Sequence, residues 1–291
     1  MRNPVTVASG TFGYGPEYAD LVDLNRLGAI TVKGISPEPV HGNPLPRIVE
    51  VNGGMINAIG LQNPGVKVFI EEYLPFLRQY DTPVIVNIWG RSVDDYGIIA
   101  AQLDVREDVS ALEINVSCPN IKEGSKAFGT QINSFRRVIE TVRSATSKTI
   151  IPKLAPQVPS IAEYAQAARD CGADAVSLIN SIPAMSIDIK TRTPVLGNIT
   201  GGLSGPAIHS IALKLVWEVA CAVDIPIIAM GGIMEPNDAL DFLVAGASAV
   251  AVGTANFADP ETSIRIIDGI EEYLIQNDMN NVNELIGSLT I

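Results

Sequence analysis

The sequence is poor in cysteine and histidine, and each shortage excludes a class of protein. Its three cysteines, Cys118, Cys171 and Cys221, are an odd number and show no C-x-x-C spacing. Neither a disulfide scaffold nor a zinc or iron–sulfur site built from this chain alone is therefore expected. Neither of the two histidines, His41 and His209, stands in a pattern that would activate a cysteine. This argues against thiol-protease and acyl-transfer chemistry.

Basic residues are also scarce, with 20 Lys and Arg against 32 Asp and Glu and a net charge of −12. Affinity for nucleic acid depends on neutralising phosphates, so this balance argues against a nucleic-acid partner. It argues equally against an anionic membrane surface. No apolar run reaches the roughly 18 residues of a transmembrane helix, and residues 1–4 lack the apolar core of a signal peptide. The sequence predicts a cytoplasmic globular enzyme.

Eight short apolar, β-branched runs are the strand candidates, and they show little alternation of apolar and polar residues. This is typical of strands buried on both faces of a parallel sheet. Amphipathic stretches at Ile161–Cys171, Ile208–Val223 and Pro236–Ala245 predict helices between them. The pattern predicts an α/β fold, a (β/α)8 TIM barrel forming one domain over residues 1–291, rather than an open doubly wound sheet. The strand candidates are Val5–Ser9, Ala29–Lys33, Val84–Trp89, Leu112–Ser117, Ile150–Leu154, Ala175–Asn180, Ile225–Met230 and Ala249–Gly253.

A polar residue or a glycine ends each predicted strand. Because the carboxyl ends of barrel strands converge on one mouth, we expect a functional site there. Two long connections, 34–65 and 181–205, also follow strands, and long ordered loops on this face are usually functional. The strand-end residues are Ser9, Lys33, Asn87, Asn115, Lys153, Asn180, Gly231-Gly232 and Gly253-Thr254.

The glycines after the seventh and eighth predicted strands lie where TIM barrels bind phosphate through backbone N–H groups. Glycine allows the backbone to approach an anion closely. On an acidic chain such an anion needs local positive charge, for which Lys33 and Lys153 are the candidates. The pattern favours a phosphate-bearing ligand over two ordinary strand-to-helix turns.

Cys118 stands apart from the other two cysteines. A free cysteine is most often a small buried hydrophobe, which suits Cys171 and Cys221. Cys118 follows a strand end and precedes a proline, which is typical of a nucleophile or a general base. Without a histidine partner, proton abstraction by the thiol is the remaining role. The polar run 121–129 beyond it predicts either a mobile lid or a plain solvated loop.

Three motifs resemble the dihydroorotate dehydrogenase family across essentially the whole chain. They are NVSCPN at 115–120, NAIGLQNPG at 57–65 and TPVLGNITGGLSG at 193–205. The cysteine at position 118 resembles the base of the soluble class 1 enzymes, whereas the membrane-bound class has a serine base. The runs 122–130 and 187–192 resemble the catalytic subunit of the NAD-linked, two-subunit subclass 1B.

This resemblance implies oxidation of dihydroorotate to orotate in pyrimidine biosynthesis, through a bound FMN. It implies that electrons reach NAD⁺ through a partner subunit carrying FAD and a [2Fe–2S] cluster, in a heterotetramer built on a homodimer of this chain. Cys118 is the implied base, and Lys33 the implied cation beside the substrate carboxylate and the flavin. The implied FMN-binding residues are Ser9, Lys33, Gly34, Asn87, Asn115, Lys153, Ile179, Gly205, Gly231, Gly232, Gly253 and Thr254. The implied substrate-binding residues are Lys33, Asn57, Ala58, Ile59, Gly60, Leu61, Asn115, Asn180 and Ser181.

The sequence departs from the family pattern at two points. The family usually has an N-terminal hairpin before the first strand, whereas the first predicted strand here begins at Val5. Either the amino-terminal end of the barrel is covered differently, or the start assigned to this sequence lies downstream of the true one. Ser181 stands where the family has threonine, which keeps the hydroxyl. The alternatives are the fumarate-linked class 1A enzyme, a flavin-dependent dihydropyrimidine reductase and a non-redox phosphate-binding barrel.

Overall fold

The computed structural model describes residues 1–116 and 131–290, together with the backbone of 122–123 and 126–127. Eight parallel strands close into a barrel in which each strand pairs with its neighbours in chain order. The predicted (β/α)8 barrel is confirmed. The barrel strands, numbered one to eight along the chain, are Val5–Val7, Ala29–Ile35, Val84–Ile88, Ala111–Asn115, Thr149–Leu154, Val176–Leu178, Ile227–Ala229 and Ala249–Val252.

Helices surround the barrel, and their bounds agree with the predicted ones to within a few residues. The polar residues that precede them explain where some begin, since Ser92 Oγ accepts from the Asp95 N–H and Ser160 Oγ from the Glu163 N–H. The helices are Val66–Val68, Phe69–Tyr73 (π), Leu74–Leu77, Val93–Asp104, Ile132–Ala145, Ile161–Asp170, His209–Ala220, Pro236–Val244, Ala255–Ala258 and Thr262–Gln276, with 3₁₀ turns at Leu24–Arg26, Pro206–Ile208 and Val282–Glu284.

Two separate sets of buried side chains explain the missing alternation in the strands. A large apolar core lies between the barrel and its helices. A smaller apolar cluster, which includes Ile85, Ala111 and Ile151, is formed by alternate residues of the same strands. Both faces of each strand are therefore buried, as in parallel sheets generally. In the part of the chain that the structure describes, no helix is both long and apolar enough to cross a bilayer.

The two long connections contain strands rather than loops alone. Ile48–Val51 and Gly54–Asn57 from the first connection join Thr200–Ser204 and Ile182–Met185 from the second in one antiparallel sheet. We call these four strands the mouth sheet. The predicted position at the carboxyl face is correct, because residues of all four strands line the same cavity as the barrel strand ends.

Candidate active site

A cavity of about 430 Å³ lies between the carboxyl ends of the barrel strands and the mouth sheet. Its volume is within the range of small-molecule and cofactor sites. All the predicted FMN-binding and substrate-binding residues line it. They are Ser9, Lys33, Gly34, Asn57, Ala58, Ile59, Gly60, Leu61, Asn87, Asn115, Lys153, Ile179, Asn180, Ser181, Gly205, Gly231, Gly232, Gly253 and Thr254.

Cys118 and most of the predicted lid lie outside the described residues. Of the run 121–129, the structure gives only the backbone pairing of Lys122–Glu123 with Lys126–Ala127. The roles assigned to Cys118 and to this run stay predictions.

The barrel interior changes from apolar to polar along several of its strands. Successive inward residues are two positions apart, so Ile85 is followed by Asn87 and Ile151 by Lys153. On the fourth strand the inward series is Ala111, Glu113 and Asn115. The polar ends of these series form the floor of the cavity.

Glu113 is the centre of a buried network on this floor. Its Oε2 accepts from Asn87 Nδ2 at 2.6 Å, and its Oε1 accepts from Ser177 Oγ at 2.7 Å. Lys153 Nζ lies 3.7 Å from Oε2 and donates to Ser9 Oγ at 3.3 Å. The Lys153 ammonium therefore has a carboxylate counter-charge within the floor.

The sequence analysis did not identify Glu113 as a site residue. The available signal was its two-residue spacing from Asn115 inside an otherwise apolar strand. A lone carboxylate at an inward position of a barrel strand must find partners, because burying an unpaired charge is very costly.

Asn87 is held by its amide nitrogen, and its Oδ1 is buried without a protein partner. Gly34 faces this oxygen. A Cβ at position 34 would lie 2.8 Å from Asn87 Oδ1, closer than ordinary contact distance. Gly34 thus leaves space beside an acceptor that a ligand N–H could satisfy.

Lys33 is the second cation of the cavity, and it lies on the second barrel strand. Burial lowers its pKa from the usual 10.5; Glu17 opposes this shift and Arg47 adds to it. Unlike Lys153, it takes part in none of the ion pairs formed within residues 1–116 and 131–290. An anionic group of a ligand would supply a direct ion-pair partner.

The wall opposite the barrel consists of close backbone contacts. Asn57 pairs in register with Gly202, and a Cβ at position 202 would lie 1.9 Å from Ser181 Oγ. Thr254 Oγ1 donates to Ser204 Oγ at 2.8 Å, which joins the end of the eighth strand to the mouth sheet. The end of strand eight is therefore tied to the sheet that carries Asn57.

Arg47 is another residue that the sequence analysis missed. Its guanidinium donates to the carbonyl of His41 at 2.9 Å and to Gln62 Oε1 at 2.7 Å, and its Nε donates to the carbonyl of Asn43. These bonds fix the segment that carries the run 57–61. Its partners lie before and after the strand pair Ile48–Val51 and Gly54–Asn57, so no local sequence pattern indicates this role.

Glycine is required by the backbone itself at two positions near the predicted phosphate region. Gly231 has φ of 137° and Gly205 has φ of 103°, values that other residues rarely adopt. A Cβ would also lie 2.6 Å from Ala212 Cβ in the first case and 2.7 Å from Gly54 Cα in the second.

Within the described residues, no cluster of three or more His, Cys, Asp or Glu side chains is arranged to hold a metal ion.

Comparisons with known proteins agree with the motifs. The sequence profile of the dihydroorotate dehydrogenase family matches residues 1–274. The chain is 55% identical to the dihydroorotate dehydrogenase B (NAD(+)) catalytic subunit of Geotalea uraniireducens over 289 residues, 99% of this chain and 95% of that protein. It is 53% identical to the protein of the same name from Thermoanaerobacter pseudethanolicus over 291 residues, 100% of this chain and 96% of that protein. The chain therefore belongs to the dihydroorotate dehydrogenase family, and its predicted resemblance to the NAD-linked catalytic subunits is confirmed.

Proposed function

We propose that this chain oxidises dihydroorotate to orotate, a step of pyrimidine biosynthesis, with FMN bound in the cavity at the barrel mouth. The observation that carries the proposal is the convergence of two lysines, the four predicted asparagines and the glycine-containing ends of strands seven and eight on one cavity. The names of the relatives support the same substrate. Residues 1–291 would form the single FMN-binding catalytic domain.

The residues of the cavity fit FMN. Asn87 Oδ1 is a buried acceptor without a protein partner, and it suits the imide N–H of a flavin ring. Gly231, Gly232, Gly253 and Thr254 follow the two strands that carry phosphate sites in TIM barrels. FMN supplies the hydride acceptor, which no protein side chain can provide.

The substrate side of the cavity fits a small carboxylated pyrimidine. Lys33 would hold the carboxylate of dihydroorotate, because it is the cavity cation without an ion pair in the described part of the chain. The amides of Asn57, Asn115 and Asn180 can each donate and accept, as the amide and imide edges of a pyrimidine require. These groups would fix one orientation of the ring.

Proton removal would be the role of Cys118, which the family resemblance assigns. Its thiolate would take the proton from the substrate carbon next to the carbonyl carbon. A positioned base is worth about 10²–10⁴ in rate, and the unperturbed thiol pKa of about 8.5 lies above neutrality. The proposal for Cys118 rests on sequence alone.

The electron acceptor would be NAD⁺, reached through a second polypeptide carrying FAD and a [2Fe–2S] cluster. The relatives are named catalytic subunits, which supports a separate electron-transfer subunit. The three cysteines of this chain cannot supply the four thiolates of a cluster, and no G-x-G-x-x-G follows a strand. We propose a homodimer of this chain within a heterotetramer.

The test is purification of the chain followed by flavin extraction and titration with orotate. We expect FMN bound in about equal amount to the chain and a change in its absorption spectrum as orotate binds. A chain that binds phosphate compounds but no flavin would support the non-redox barrel instead. Rapid turnover with fumarate would favour the class 1A alternative.

A further inference from the structure

Glu113 has no role in the proposed chemistry, yet it is among the most buried charged side chains of the molecule, at 3% exposure. Both of its oxygens are used, one by Asn87 and Lys153 and the other by Ser177. Burying a carboxylate costs free energy of desolvation unless its partners compensate the charge. Its place on the cavity floor raises the question of what it does for the ligand above it.

The first consequence concerns the orientation of Asn87. An amide side chain can turn either its nitrogen or its oxygen towards a neighbour. Glu113 Oε2 only accepts hydrogen bonds, so it holds the nitrogen, at 2.6 Å. The amide oxygen is thereby directed away from the carboxylate, where it is buried without a protein partner. The cavity floor thus presents an acceptor to an N–H group.

The second consequence concerns Lys153. Its ammonium lies 3.7 Å from the same Oε2, and both side chains are about nineteen-twentieths buried. The formal charges of the pair cancel, so Lys153 offers hydrogen-bond donors to the cavity with little net charge. The floor therefore combines an acceptor and a donor in a nearly neutral arrangement, which suits one edge of an uncharged planar heterocycle.

We propose that Glu113 is a positioning residue that fixes Asn87 as an acceptor and neutralises Lys153 for the pyrimidine edge of the FMN ring. This inference rests on the proposed function, because it needs FMN in the cavity. Glu113 would act through its two neighbours, without contact with substrate. Two effects follow from its removal, a loss of FMN affinity and a change in the ease of flavin reduction.

The direct test is Glu113→Gln, which keeps the size of the side chain and removes its charge. Lys153 would then carry an uncompensated charge, which favours the more negative, reduced flavin. We expect a more positive midpoint potential, measured by dye equilibration. We also expect about tenfold or greater weakening of FMN binding to the apoprotein, measured by quenching of flavin fluorescence. A glutamine can turn either its oxygen or its nitrogen towards Asn87, so the Asn87 amide is no longer held in one orientation.

Ser177→Ala is the matched control. It removes the hydrogen bond to Glu113 Oε1 and leaves the contacts of Oε2 with Asn87 and Lys153 in place. If the network had only a structural role, both variants would lower the melting temperature and leave the flavin midpoint potential unchanged. Our proposal predicts a shift of the potential in Glu113→Gln alone.

A second measurement uses the wild-type protein and does not depend on the folding of a variant. An FMN analogue methylated at the imide nitrogen cannot donate to Asn87 Oδ1, so the apoprotein should bind it at least about tenfold more weakly than FMN. Equal affinities, or a Glu113→Gln potential equal to that of Ser177→Ala, would overturn the inference. Failure of wild-type protein to bind FMN at all would instead overturn the proposed function.

Discussion

Asn57 lies opposite Gly202 in the mouth sheet, and its Nδ2 donates to the Gly202 carbonyl at 3.4 Å although 145 positions separate the two residues. This pair joins the two long connections above the barrel. The run 57–61, predicted to bind substrate, therefore depends on the strand Thr200–Ser204 for its position.

Gly202→Ala should weaken orotate binding more than it weakens FMN binding. The new Cβ would lie 1.9 Å from Ser181 Oγ, so the sheet or Ser181 must move. Overpacking of this kind costs about 1–3 kcal/mol, or roughly tenfold in affinity if the strain is relieved at the site. Orotate titration of the FMN-loaded variant measures the effect.

The control for this variant is Lys190→Ala in the exposed turn of the neighbouring hairpin, which joins Ile187–Asp188 to Thr193–Pro194. It should bind orotate like the wild type. Unchanged orotate affinity in Gly202→Ala would mean that the mouth sheet does not position the substrate.

Lys33→Ala should lose orotate affinity by roughly tenfold to a hundredfold. A charge-assisted hydrogen bond contributes about 1.5–3 kcal/mol, and of the two lysines that line the cavity only Lys153 forms an ion pair within the described residues. Lys33→Arg keeps the charge and should bind orotate better than the alanine variant. Equal affinity in wild type and Lys33→Ala would remove Lys33 from the substrate site.

Orotate affinity should also fall at alkaline pH. Burial lowers the pKa of Lys33 below 10.5, so the ammonium that attracts the carboxylate is lost at a lower pH than for an exposed lysine. The same shift affects folding stability. Below the folded-state pKa the buried ammonium destabilises the folded protein, and this destabilisation is lost as the pH rises above that pKa. Lys33→Arg should remove the alkaline loss of affinity that the wild type shows below pH 10.5, and an unaltered profile in that variant would contradict this assignment.

Cys118→Ala should retain FMN and orotate but slow flavin reduction by roughly 10² or more, the usual contribution of a general base. In the wild type, reduction should quicken as pH rises towards the thiol pKa of about 8.5, and the variant should lack this dependence. Stopped-flow absorbance of the flavin measures both. Cys221→Ser is the control, because that cysteine is exposed and follows the helix His209–Ala220, away from the cavity. Wild-type rates in Cys118→Ala would exclude the thiol as the base.

The isolated chain should reduce its FMN with dihydroorotate yet fail to reduce NAD⁺. Reduction of NAD⁺ should appear when an electron-transfer subunit carrying FAD and a [2Fe–2S] cluster is added. Steady NADH production by the chain free of any second subunit would contradict the proposed partner.

The sequence predicted the barrel because its strands are local, apolar and β-branched, and such runs are recognisable without knowledge of their partners. Strand bounds differ from the prediction by at most two residues; strand eight, for example, ends at Val252 rather than Gly253. The connection after strand one contains only the 3₁₀ turn Leu24–Arg26 as regular helix, so the alternation of strand and helix is incomplete there.

The mouth sheet could not be predicted in the same way. Its strand Thr200–Ser204 contains two glycines and pairs with the distant strand Gly54–Asn57, so neither composition nor periodicity marks it. The strand-end residues of the site were found because they end strands, whereas the run 57–61 came from the family resemblance. Glu113 was missed because it lies one inward position before the strand end, where only the closed barrel reveals its contacts with Asn87 and Lys153.

Anaerobic addition of dihydroorotate to the purified, FMN-loaded chain tests the central claim most directly. The flavin absorbance near its visible maximum should bleach, and one orotate should form for each FMN reduced, with no other protein present. A chain that binds both FMN and orotate but keeps an oxidised flavin under excess dihydroorotate would contradict the account.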